Sequence, residues 1–186
     1  MRMKKQSSTS KIRKGPKPYS TAHEVFHKAS SNIEETQALY MARNMNNVID
    51  FMGMSGKKHF TDLGNEADFI QLIRKGVPKK VLDHLMTRIG LTSSEMAFIL
   101  HVSDRTLRRH TPQTLLNQEQ SERLIELARL YSRGEDVFGG LESFKRWMNS
   151  PILALGNVLP KDLLDTSLGI DMLMDELGRM EHGVFA

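Results

Sequence analysis

From residue 20 to the end of this chain the apolar side chains recur at spacings of three and four, and no segment carries the alternation of a half-buried strand. Only a 3.6-residue turn gathers such positions on one side, so the expected fold class is all-α. The punctuation agrees. Thr21 and Glu24 form a T-x-x-E capping box that opens a short helix. Ala38, Ala42, Met45, Ile49 and Met52 fall on one stripe, ended by Gly53 and Gly56. Phe69, Leu72 and Ile73 make the next, stopped by Gly76. Pro78 stands at the first turn of a helix carrying Val81, Leu82, Leu85 and Ile89, with Gly90 just past its end. Several of the 12 methionines lie on these stripes, where a flexible thioether fills irregular core space.

The most informative stretch is Leu91 to His110, LTSSEMAFILHVSDRTLRRH. Thr92 and Glu95 make a second capping box, and Met96, Ala97 and Leu100 give the helix behind it a buried face. Val102 falls in a tight turn. Ser103 can cap a second helix that turns Leu107 inward. This is a helix-turn-helix pattern: small Ala97 lets the two helices cross closely, and Leu107 fills the space between them. The second helix then presents Asp104, Arg105, Thr106, Arg108 and Arg109 outward, and Arg can fork onto guanine or hold phosphate. Ser103, Arg105, Thr106, Arg108 and Arg109 are the candidate DNA contacts. His101 stands at the turn position where glycine is usual, so distortion of the turn is expected.

Beyond this pair, residues 118–133 form an amphipathic helix through Ser121, Leu124, Ile125, Ala128 and Tyr131, expected to end at Gly134. Phe138, Leu141, Phe144, Trp147 and Met148 continue on a further helix, broken at Ser150–Pro151. Leu153, Leu155 and Gly156 form a compact turn, and Pro160 opens a short helix with Leu163 and Leu164. The last helix carries Ile170, Leu173, Met174, Leu177 and Met180, closed by Gly183.

Charge divides along the same chain. Residues 1–20 hold seven Lys/Arg and no acid; residues 74–110 hold eight against three; residues 111–186 hold seven against twelve. A basic arm and a basic middle suit a polyanion, whereas the acidic end calls for a different partner. Residues 1–18 have almost no apolar side chain, the composition of a disordered arm. The chain has no cysteine, which excludes disulfides and thiol chemistry. No apolar run approaches the roughly 20 residues of a membrane span, and the basic start leads into no hydrophobic core, so a cytoplasmic protein is expected.

The run from Arg146 to Ala186 resembles the toxin-binding domain of the Xre/MbcA/ParS antitoxin family. The residues that carry the likeness are Trp147, Pro151, Ala154-Leu155-Gly156, Pro160, Asp162-Leu163-Leu164, Thr166, Gly169, Leu177, Arg179 and His182-Gly183. Arg74-Lys75-Gly76-Val77-Pro78, Arg105-Thr106-Leu107 and Glu119 to Ala128 are similar to the same family, so the likeness spans about residues 66–186. It implies an antitoxin paired with a RES-domain, NAD-degrading toxin. Its C-terminal domain would cover the toxin's active-site entrance, and its helix-turn-helix would repress the shared operon as a homodimer within a larger toxin–antitoxin complex. Carried onto this chain, the toxin-facing candidates are Asn149, Pro151, Thr166, Arg179, His182, Gly183, Val184 and Phe185. Plain structural readings compete with these: Pro151 and Gly169 punctuate helices, Trp147 belongs to the core, and Phe185 folds back on the last helix.

The expected organisation is a basic arm (1–18), a helical region of unassigned role (19–65), a helix-turn-helix domain (66–115) and a toxin-binding domain (116–186). No enzyme, cofactor or metal is expected. One motif argues otherwise: His23-Glu24-Val25-Phe26-His27 fits H-E-x-x-H, which on a helix sets two histidines on one side for zinc, with a glutamate as general base. Glu24 is already the capping partner of Thr21, and no persuasive third ligand follows. A lone helix-turn-helix regulator is the other alternative.

Overall fold

The computed structural model describes residues 44–56 and 66–183, which form one compact unit. The elements are α1 (helical residues 44–51), α2 (Glu66–Lys75), α3 (Lys79–Ile89), α4 (Ser93–Ile99), α5 (Asp104–Arg109), α6 (Gln118–Val137), α7 (Leu141–Met148) and α8 (Ser167–Glu181). Two 3-10 turns, Leu153–Leu155 and Pro160–Leu163, lie between α7 and α8. Among the described residues β pairing is limited to two isolated bridges, Pro78 with Leu115 and Ile152 with Val158. The protein is all-α.

At its centre is α6, 20 residues and about 30 Å long, packed against α2, α3, α7 and α8. The stripe read from sequence is buried, and so are Leu127 and Leu130, which lie off it. With Gly134 they form a second stripe at i, i+3 and i+7, as a helix covered from two sides requires. Gly134 therefore does not end α6. The helix runs on to Val137, and glycine serves packing there: a Cβ would stand 2.5 Å from the Phe144 ring of α7, which would have to shift. Phe138 is correspondingly the C-cap of α6 rather than the start of α7, and its ring joins Phe144 and Trp147 in an aromatic cluster with centroids 5.5–5.6 Å apart.

Polar contacts fix the register of the remaining elements. Arg123 of α6 donates to Ser167, and Arg133 donates to the Met174 carbonyl and pairs with Glu181 at 3.0 Å. Residue number rises together on both helices, so α8 runs parallel to α6, its Ile170, Leu173 and Leu177 buried. Pro78 sits one residue before α3 and lacks a side-chain cap bond; the carbonyls of Thr114 and Pro112 accept from Lys79 and Lys80 N–H instead. Leu116 N–H donates to Val77, and the buried Ser121 hydroxyl accepts from Val77 N–H at 2.9 Å. The exit of α5 is thereby held against the start of α3.

Phe51, Met52 and Met54 are buried in the same core as α3 and α6. Arg88 of α3 lies 3.9 Å over the Phe51 ring while its guanidinium pairs with Glu135 at 2.9 Å. Thr21, Glu24 and the H-E-x-x-H run lie outside the described residues.

Candidate nucleic-acid interface and partner-binding domain

Helix α4 opens with the complete capping box: the Thr92 hydroxyl accepts from Glu95 N–H and the Glu95 carboxylate accepts from Thr92 N–H at 2.8 Å. Those bonds, the backbone one first and the hydroxyl next, hold the Glu95 carboxyl below its ordinary pKa. The helix closes on a left-handed residue. Val102 N–H reaches back to Ala97 O at 2.9 Å and His101 N–H to Phe98 O at 3.1 Å, the two bonds of a Schellman motif. His101 supplies the left-handed position at φ 53°, so the turn is well formed without glycine. Histidine is among the side chains enriched there, and the expected distortion is absent.

From that turn Ser103 caps α5, its hydroxyl accepting from Thr106 N–H at 3.0 Å. Leu107 is buried against α4, where truncation to alanine would cost about 2–4 kcal/mol. The Ser93 hydroxyl at the start of α4 donates to Asp104 at the start of α5, and this bond, with Arg108, lowers the Asp104 pKa. Buried Leu107 and the Ser93–Asp104 bond thus fix the angle of the pair from opposite ends.

The five predicted DNA contacts come together on one exposed helix but are not equivalent. Arg108 pairs with Asp104 at 2.8 Å. The Ser103 and Thr106 hydroxyls lie 2.7 Å apart and engage each other. Arg105 and Arg109 are exposed and make no ion pair among the described residues. Asp104, Arg105, Arg108 and Arg109 line a shallow groove. Lys80, two residues into α3, is also exposed and makes no ion pair among the described residues, and its N–H bond to Pro112 O brings it beside the loop leaving α5. The sequence marked it only as part of a basic segment.

The predicted partner-facing residues do not form one cluster. Asn149 caps the end of α7, its amide donating to Lys145 O at 2.9 Å, and Pro151 follows, exposed. Thr166 caps α8, accepting from Gly169 N–H at 3.0 Å. Gly169 is required because a Cβ would collide with the Leu163 carbonyl. Arg179, His182 and Gly183 lie at the other end of α8, about 22 Å away along its 15 residues. Arg179 is tied to the buried Glu176; His182 is the C-cap; Gly183 takes φ 68° and closes the helix as expected. Val184 and Phe185 lie outside the described residues.

What the sequence reading passed over is apolar. Leu153 is 86% exposed in the turn after α7, and Leu168 and Met172 are 72% and 42% exposed on α8. The signal was present: α8 carries more apolar residues than one buried stripe can hold.

Tyr131 and Lys161 tie this part to the helix-turn-helix. The Tyr131 phenol, buried in α6, is pushed up by burial and then by the nearby Glu95 carboxylate. Lys161, in the second 3-10 turn, lies 4.0 Å from Glu95. Among the described residues no helix is long and apolar enough to cross a membrane, and no three His, Asp or Glu side chains gather as a metal site.

A helix-turn-helix pair whose Arg105 and Arg109 make no ion pair among the described residues, joined through one central helix to an acidic helical segment, defines a class of two-part all-α protein. Residues 68–129 match the family of the antitoxin Xre-like helix-turn-helix domain, and residues 133–183 match the antitoxin Xre/MbcA/ParS C-terminal toxin-binding domain. The chain is 32% identical over 119 residues to "Antitoxin Xre" of Yersinia enterocolitica, covering 63% of this chain and 80% of that protein. It is 30% identical over 129 residues to "Prs ADP-ribosylating antitoxin" of Sphingobium sp., covering 64% and 81%. A solved structure of the M. tuberculosis MbcT-MbcA toxin-antitoxin complex contains a chain 25% identical to this one, covering 64% of this chain and 96% of that one, with a TM-score of 0.42. The chain belongs to the Xre antitoxin family.

Proposed function

We propose that this antitoxin neutralises a RES-domain, NAD-degrading toxin by covering its active-site entrance with the C-terminal domain, and represses its own operon through α4 and α5. The observation that carries the reading is the pairing, on one chain, of exposed Arg105 and Arg109, without an ion pair among the described residues, with a domain matching the toxin-binding family over residues 133–183. A relative whose name refers to Prs ADP-ribosylation supports a partner that handles an ADP-ribosyl group, as NAD degradation does. The DNA side calls for two copies, since half-sites one helical turn apart, roughly 34 Å, are read by two identical helices. Homodimer, operator and toxin then assemble into one larger cytoplasmic complex. The partner-facing set is Asn149, Pro151, Thr166, Arg179 and the tail from His182 to Phe185; the DNA-facing set is Ser103, Arg105, Thr106, Arg108 and Arg109.

The test is co-expression with the product of the adjacent open reading frame, as full chain and with residues 182–186 removed. That deletion spares the packed length of α8, Ser167–Glu181. Co-purification and rescue of growth by the full chain, with rescue lost in the deletion, supports the reading. A harmless, unbound neighbour sinks it and returns the chain to a lone helix-turn-helix regulator.

A further inference from the structure

Helix α8 carries apolar side chains on two faces, and among the described residues only the inner face is packed against the rest of the chain. Ile170, Leu173 and Leu177 fill the core. Leu168, Asp171, Met172 and Asp175 follow at i, i+3, i+4 and i+7, the spacing of a single helix face, and all four are exposed. Asp171 and Asp175 make no ion pair among the described residues. A leucine left 72% exposed one turn before Asp171, with exposed Met172 between Asp171 and Asp175, is poor for solubility and useful as a contact.

We propose that this outward stripe of α8 is the anchor for the toxin: Leu168 and Met172 enter an apolar depression on it, and Asp171 and Asp175 meet Lys or Arg at its rim. This rests on the toxin-partner reading above and names residues outside the set given there. Charge selects the occupant. Two exposed carboxylates on the stripe repel nucleic acid and an anionic lipid surface. A second copy of the chain, docked face to face about a two-fold axis, would place four carboxylates in one interface. A protein face with an apolar centre and a basic rim fits both features, and the stripe lies within the span that matches the toxin-binding family. An apolar centre with a charged rim is also how protein interfaces concentrate affinity in few residues.

The experiment measures binding of the neighbouring gene product to full-length wild type, to the double variant Leu168→Asp/Met172→Gln, and to Asp171→Lys/Asp175→Lys. Leu168 is in the first turn of α8, where an aspartate complements the helix dipole, so the first variant keeps its helix. Both variants are expected to bind about tenfold or more weakly, with unchanged helix content and unchanged operator affinity. Wild-type affinity in either variant overturns the anchor while leaving the toxin reading intact. A change in the oligomeric state of the first variant alone, read by light scattering, overturns it in favour of a self-interface. If wild type itself fails to bind, the toxin reading falls and the anchor with it.

Discussion

His101 holds a left-handed backbone at φ 53° because the two Schellman bonds on either side of it leave no other way to turn α4 into α5. Left-handed backbone costs a side-chain-bearing residue about 1–2 kcal/mol, whereas glycine adds about 0.5–1 kcal/mol of backbone entropy to the unfolded chain. His101→Gly is therefore expected to stabilise the fold by about 0.5–1 kcal/mol, read as a higher urea midpoint at unchanged slope. The lost His101–Glu119 contact, 3.7 Å between two exposed groups, subtracts little. A lower midpoint would mean that the imidazole does more at this turn than endure it. Position 101 was legible as special from sequence because glycine is usual there. Whether the turn survived was not, since that depends on bonds to Ala97 and Phe98 that only the folded turn makes.

At the scale of elements, Gly134 shows local propensity giving way to packing. A glycine after an amphipathic run reads as a helix end, yet this one lies inside α6, where the Phe144 ring occupies the space of its missing Cβ. That ring is held in turn by Tyr131, with centroids 5.2 Å apart, and by Phe138 and Trp147. Gly134→Ala gains about 1 kcal/mol of helix propensity and loses about 1–3 kcal/mol to overpacking. Because Phe144 is wedged on several sides, the balance is a net destabilisation of about 1–2 kcal/mol in thermal or urea unfolding. A variant as stable as wild type would show that the ring has room to move. Helix α8 carries the complementary lesson. Its inner stripe is legible from periodicity at Ile170, Leu173 and Leu177, with Met174 partly buried and Met180 outside the core, but nothing marks Leu168 and Met172, because a sequence does not say how many sides of a helix are already covered.

For the whole molecule, the paired and unpaired arginines set the expectation for DNA. Each cation on phosphate contributes about one unit to the slope of log affinity against log salt. Arg105→Ala and Arg109→Ala are expected to weaken operator binding and flatten that slope by about one unit each. Arg108→Ala does less, because Asp104 already neutralises Arg108. Equal effects at all three positions would mean that the Asp104–Arg108 pair opens on the operator. The sequence by itself determined the all-α class, the capping of α4 and α5, the inward Leu107, the family and the division of charge, all of them properties of near neighbours in the chain or of spaced motifs. Tertiary structure alone decided that α6 is covered from two sides, that Val48, Ile49, Phe51, Met52 and Met54 share the core of α3 and α6, and that, among the described residues, Arg108 is paired while Arg105 and Arg109 are not and α8 keeps a second face uncovered. Each of those turns on which distant residues meet, and burial and ion pairing are properties of that meeting rather than of any residue type.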